Sequence, residues 1–160
     1  MDFQIKMYPE MSDGDLAELY QTAESEKLFD HVCYDWPMSE AVFSLAVRRA
    51  EVFAAVYDGE GQPLAFFYLT DFQGLSAHVH MGFFKRGRSR RHEVGRMVLN
   101  WCFETFAFQC LVGLIPVINR AAAWYAGELE GERLGKIPGC CWIERLRQSV
   151  DGIMFIFERK

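Results

Sequence analysis

Two histidines, His78 and His80, stand two positions apart in AHVHMGFF, a stretch rich enough in apolar residues to read as a β-strand. On a strand that spacing projects both imidazoles from one face. The ordinary pKa of histidine lies near neutrality, so either ring could act as a general base at physiological pH. An HxH strand could also offer two metal ligands or simply pack as structure. No third ligand at a recognisable spacing accompanies the pair, so no metal is expected. Directly downstream, KRGRSRRHEVG carries Lys85, Arg86, Arg88, Arg90 and Arg91 within seven positions. A helix that begins at the end of such a segment collects unpaired backbone N–H groups, the positive end of its dipole and side-chain cations at one point. Arg96 lies on its first turns. A pyrophosphate or ribose phosphate would suit that point. A solvated basic loop and a nucleic-acid patch remain alternatives.

These residues need elements to hold them. FQIKMY alternates like a half-buried strand, and Ser12-Asp13-Gly14-Asp15 starts a helix carrying Leu16, Leu19 and Tyr20. Residues 28–37 read as irregular, and Ser39 caps a second helix through Arg49. Two runs rich in Val, Phe and Tyr flank Asp58-Gly59-Glu60-Gly61, a hairpin signal, and a third run follows from Leu75 to Phe84. Val94 to Phe108 has too broad an apolar face for a surface helix and is predicted to be buried. Cys110–Val117 reads as a central strand, 119–130 as a helix, 131–137 as a short strand and 152–158 as a final strand. The order is β-α-α-β-β-β-α-β-α-β-β. No repeat, linker or low-complexity tract interrupts it, so a single domain spanning residues 1–160 is expected. The neighbouring aromatics Phe66, Phe67, Tyr68, Phe83 and Phe84 read as core.

Composition narrows the functions available. With 51% hydrophobic and 24% charged residues in 160, the chain is expected to be globular rather than disordered. Without the five cations of residues 85–91 the net charge would fall from −5 to −10, which disfavours a nucleic-acid partner. No apolar run reaches the length of a membrane span, and the N-terminus has no signal-peptide core, so a cytoplasmic protein with no membrane partner is expected. The five cysteines include no CxxC, which argues against a zinc knuckle or a disulfide framework. Adjacent Cys140 and Cys141 read as reduced thiols.

Strand, basic segment, Gly95-bearing helix, apolar strand, then Asn119-Arg120-Ala121-Ala122 with Tyr125 and glycines at 131 and 135, resembles the GNAT (Gcn5-related) N-acetyltransferase superfamily. AHVHMGFF and VDGIMFIFERK resemble the branch near ribosomal-protein acetyltransferases and phage-associated members. The resemblance implies an α/β (α+β) fold: a mixed, mostly antiparallel sheet of about seven strands with flanking helices, splayed between strands 4 and 5. It implies acetyl-coenzyme A as cosubstrate and a small-molecule or protein/peptide amine as acceptor. It leaves room for a homodimer. The family's Gln/Arg-x-x-Gly-x-Gly/Ala phosphate pattern falls nearest His92-Glu93-Val94-Gly95-Arg96-Met97, with His92 and Met97 departing from it. Arg88, Ser89, Arg90, Arg91, His92, Glu93, Val94, Gly95 and Arg96 are the implied phosphate cradle. Asn119 is the implied pantetheine contact, although it could equally cap its helix, and Ala122 is the implied close-approach position.

Moving an acetyl group from a thioester to an amine needs a neutral amine, a polarised carbonyl and a protonated leaving thiolate. A backbone N–H at a strand irregularity around Met81, Gly82 and Phe83 is expected to polarise the carbonyl. His80 or His78 is the expected base. The resemblance makes Tyr125 the acid, although it stands six residues after Asn119 where seven is commoner, and Trp124 and Tyr125 could instead be core aromatics. Acceptor choice is expected from the two early helices and Tyr34, Asp35 and Trp36, with Asp30 and Asp35 drawing an amine. The departures from the family pattern motivate an alternative: a GNAT-shaped coenzyme A or ligand-binding protein with little or no turnover.

Overall fold

The computed structural model describes residues 3–160. Its elements run β1 (Gln4–Met7), α1 (Asp13–Ser25), α2 (Glu40–Arg49), β2 (Val52–Tyr57), β3 (Pro63–Gln73), β4 (Ser76–Phe83), α3 (Arg91–Phe106), β5 (Cys110–Pro116), α4 (Arg120–Glu128), β6 (Glu132–Ile143) and β7 (Gln148–Glu158). Short 3₁₀ turns occupy Leu28–Asp30, Lys85–Arg90 and Glu144–Leu146. The seven strands form one sheet in the order β1-β2-β3-β4-β5-β7-β6, antiparallel except between β4 and β5.

Both faces of this sheet are covered, which is why β2 reads VFAAVY with no polar alternation. Val52, Ala54 and Val56 face one core with Val94, Val98 and Cys102 of α3 and Ala126 of α4. Phe53, Ala55 and Tyr57 face the other, built with Leu16, Leu19 and Tyr20 of α1 and Phe43 and Val47 of α2. At the start of α1 the Ser12 side chain accepts from Asp15 N, and Asp15 accepts in return from Ser12 N at 2.6 Å. Lys6 of β1 adds a 2.7 Å ion pair to the same carboxylate and, with Ser12, holds Asp15 down at about 2.

The joint between β4 and β5 is brief. Pairing runs Ser76↔Cys110, Ala77↔Leu111 and His78↔Val112, then stops, although β4 continues to Phe83 and β5 to Pro116. The two strands part beyond His78, as a sheet splayed between strands 4 and 5 requires. Pairing between β3 and β4, in contrast, is unbroken from Ala65↔Phe83 to Thr70↔His78, and its irregularity lies between Thr70 and Gln73. The expected irregularity at residues 81–83 is therefore absent; the splay itself frees the β5-facing edge of that segment.

Three element boundaries differ from expectation. The basic segment is not a loop: its 3₁₀ turn runs straight into α3, which begins at Arg91 and stops at Phe106 because Ala107 adopts a left-handed conformation (φ 54°). β6 is twelve residues long rather than seven, and β7 begins at Gln148 rather than Gly152. β6 lies at the sheet edge with most side chains exposed, so its sequence lacks the apolar pattern by which strands are recognised.

Candidate active site

Where β4 and β5 part, a cleft of about 550 Å³ opens. Val79–Phe83 of β4 form one wall and Gly113–Pro116 of β5 the other, with Ala122 and Tyr125 of α4 and Arg88 and Arg91 around it. Leu28, His31, Val32, Cys33 and Tyr34 close its third side. A neighbouring cavity of about 380 Å³ takes Glu24, Asp30, Trp36, Glu144 and Arg145, and Tyr34 lines both.

The basic segment divides its charge. Arg86 turns to the β2–β3 hairpin and pairs with Asp58 at 2.9 Å and Glu60 at 2.5 Å. Arg90 packs its guanidinium over the Phe3 ring at 4.1 Å and pairs with Glu93 at 2.9 Å. Arg96 pairs with Glu130. The cations that line the cleft are Arg88 and Arg91, and Arg91 also lies over the Trp124 ring at 5.3 Å. Ser89 is exposed on the 3₁₀ turn, and the Arg90 side chain does not cap the start of α3.

The rest of the expected cradle lies deeper. Val94 is fully buried in the core under α3, and His92 is half-buried, its ring 5.6 Å from that of Tyr125. Gly95 sits inside the helix, and a Cβ there would overlap the Tyr125 hydroxyl. That hydroxyl donates to the Arg91 carbonyl at 2.6 Å, fastening α4 across the first turns of α3. Burial raises the Tyr125 phenol well above its ordinary value. Asn119 makes a double clasp: its Oδ1 accepts from Ala122 N at 3.2 Å, capping α4, and its Nδ2 donates to the His31 carbonyl at 3.4 Å.

The two histidines share a face but not an environment. His80 lies in the cleft wall, stacked flat on Tyr68 (4.4 Å between centroids, 4° between planes), with Nε2 3.2 Å from Thr70 Oγ1. Desolvation, helped by His78, lowers its pKa to about 4, so it is neutral at pH 7. His78 is at the paired end of β4, outside the cleft, with Nδ1 3.8 Å from Asp71. Among the described residues no three His, Cys, Asp or Glu side chains gather into a metal-binding group.

Sequence reasoning missed His31 and Cys33 as cleft residues. They sit in the stretch without periodicity, which long-range contacts bring to the site, among them the bond from Asn119, 88 positions away, and that of Glu144 N to the Tyr34 carbonyl. Cys33 donates to Tyr68 Oη at 3.6 Å, and burial, which outweighs the opposing effect of that hydrogen bond, pushes the thiol up to about 11.

The seven-stranded sheet, parted between β4 and β5 beside an Arg-flanked helix start, is the fold of the GNAT acetyltransferases. The sequence matches no protein-family model and no curated protein. Among solved structures, a GNAT-family acetyltransferase from Bacillus anthracis aligns at TM-score 0.79 and 11% identity over 99% of this chain and 95% of that one. The spermidine N-acetyltransferase SpeG of Vibrio cholerae, in complex with CoA and spermine, aligns at 0.77 and 13% over 98% and 95%. A ribosomal-protein-S5-alanine acetyltransferase from Vibrio fischeri aligns at 0.73 and 13% over 99% and 93%. No helix among the described residues is long and apolar enough to cross a membrane.

Proposed function

We propose that the protein is an N-acetyltransferase that moves the acetyl group of acetyl-coenzyme A onto an amine by direct attack. The observation that carries this reading is the early end of β4–β5 pairing, which opens a cleft between two strand edges beside the first turn of α3. Arg88, Arg91 and the amides of that turn hold the diphosphate. The thioester arm runs between β4 and α4, where Ala122 leaves room. The backbone N–H groups of Met81 and Phe83, on the edge released by the splay, receive the carbonyl oxygen as it becomes an oxyanion. The acceptor nitrogen attacks the carbonyl carbon, the C–S bond breaks, and the leaving thiolate takes a proton.

The acceptor approaches from the side of Leu28–Tyr34, where Glu24, Asp30 and Glu144 give the adjoining cavity carboxylates for a cationic amine. A small polyamine or a peptide amine fits that chemistry. His80 faces the cleft as a neutral imidazole able to accept a proton, while Tyr125 must leave the Arg91 carbonyl before it can donate one.

That engagement of Tyr125 favours a second reading, in which the cleft binds coenzyme A without turnover. Calorimetry with coenzyme A followed by thiol release from acetyl-coenzyme A, over a panel of polyamines and amino-terminal peptides, separates the two. Binding with amine-dependent thiol release supports transfer. Binding without release from any amine leaves the second reading, and no binding at millimolar coenzyme A defeats both.

A further inference from the structure

Adjacent residues of a strand normally point to opposite faces, so Cys140 and Cys141 should be back to back. In β6 they are not. Pairing with β7 passes from Ile137↔Gly152 directly to Cys141↔Val150, so Pro138, Gly139 and Cys140 bulge against the single residue Asp151. Gly139 takes a left-handed conformation (φ 61°) within that bulge, and its N–H is held by the Asp151 carboxylate at 3.1 Å. The extra residues turn both thiols to the same side, where their sulfurs stand 3.6 Å apart. They converge over Gly152: a Cβ there would lie 2.5 Å from one sulfur and 2.9 Å from the other. Cys140 is exposed and Cys141 buried, so a reagent from solvent meets Cys140 first.

The separation decides what the pair suits. A disulfide needs its sulfurs about 2.0 Å apart, and closing adjacent cysteines that far would strain the intervening peptide. One atom bonded to both sulfurs at roughly 2.3 Å, with a near-tetrahedral angle, needs them about 3.7 Å apart. We propose that Cys140 and Cys141 form a preorganised dithiol site that captures a trivalent arsenical, or a like soft centre, by bridging the two sulfurs. This site is independent of what the cleft binds. Capture is a condensation: an As=O group meets two S–H groups, two As–S bonds form, and the oxygen and both protons leave as water. Arsenic stays trivalent and no oxidant is consumed. Burial raises the Cys141 thiol above its ordinary value, so it persists as the S–H that the condensation uses. Tyr34, whose hydroxyl lies 3.9 Å from Cys141 Sγ, sets the captured atom one side chain from the cleft.

The test treats the folded full-length chain with phenylarsine oxide and follows intact mass and free-thiol count. The expected result is one adduct per chain with loss of two of the five thiols, stable to a monothiol and reversed by a small dithiol. Cys140→Ser, at an exposed position, should abolish the monothiol-resistant adduct; its persistence would overturn the proposal, as would no adduct on the native chain. Gly152→Ala keeps both cysteines but crowds the sulfurs, and should weaken capture roughly tenfold or more when folded. In urea, where only adjacency in sequence remains, Gly152→Ala and parent should capture alike. Equal capture in the folded state would show that convergence over Gly152 is not what makes the site.

Discussion

At the scale of single residues, charge placement gives the sharpest expectations. Arg88→Glu combined with Arg91→Glu should weaken coenzyme A binding by roughly tenfold or more, since each cation would lose a charge-assisted contact. Thermal stability should change little, because surface charges in such settings contribute little to it. Arg86→Glu is the control: its partners are Asp58 and Glu60, so calorimetry should find affinity nearly unchanged. His80 makes a pH prediction whose sign is set by its lowered pKa. Between about 4 and the ordinary value of 6.5 the unfolded chain binds a proton that the folded chain refuses, so stability should rise with pH across that window. Urea titrations of His80→Phe, which preserves a ring to stack on Tyr68, should show a flatter dependence from pH 4 to 6.5. An equally steep curve would mean that His80 is not the source. Tyr125→Phe keeps the ring and removes the bond to Arg91, so it should cost about 1 kcal/mol of stability. If Tyr125 supplies the leaving-group proton, the same variant should also lose the alkaline limb of the rate profile.

Elements explain why those residues meet. Asn119 joins the start of α4 to the Leu28–Tyr34 segment, and its two contacts are separable by substitution. Asn119→Ala should destabilise the protein by about 1 kcal/mol through the lost cap. Asn119→Asp retains the capping oxygen but not the donor to His31, so denaturant midpoints should stay near the parent while coenzyme A affinity falls. Elements whose burial imposes a rhythm were readable beforehand: VFAAVY, CLVGLIPV and the broad apolar face of α3 carry the two-sided core in their composition. β6 was cut short because an edge strand buries too little to leave such a mark, and its bulge follows no periodicity. The Leu28–Tyr34 segment was unreadable for a different reason: it is held by a side-chain bond from a residue far along the chain. The Gly95 pattern falls in the interior of α3, four residues past its first residue, Arg91. What Gly95 accommodates there is the Tyr125 hydroxyl.

Over the whole molecule, one sheet serves two cores, so damage to either face should be felt by both. Phe66, in the core with α1 and α2, and Phe67, in the core with α3 and α4, are neighbours in β3 and completely buried. Phe66→Ala and Phe67→Ala should each cost about 3–5 kcal/mol. Each should lower a single unfolding transition that near- and far-ultraviolet circular dichroism report together; separate transitions would mean the faces melt independently. The sheet is nonetheless unevenly stitched. Among the described residues its halves, β1-β2-β3-β4 and β5-β7-β6, share strand pairing at three positions, Ser76 to His78 against Cys110 to Val112, with Leu75 joined to Gln109 just before them. Those rungs work as the spine of a book whose pages fall open toward the cleft. Anything wedged between the pages should quiet their flexing, and amide exchange at Ala77 and Leu111 would register that stillness far from the inserted molecule itself.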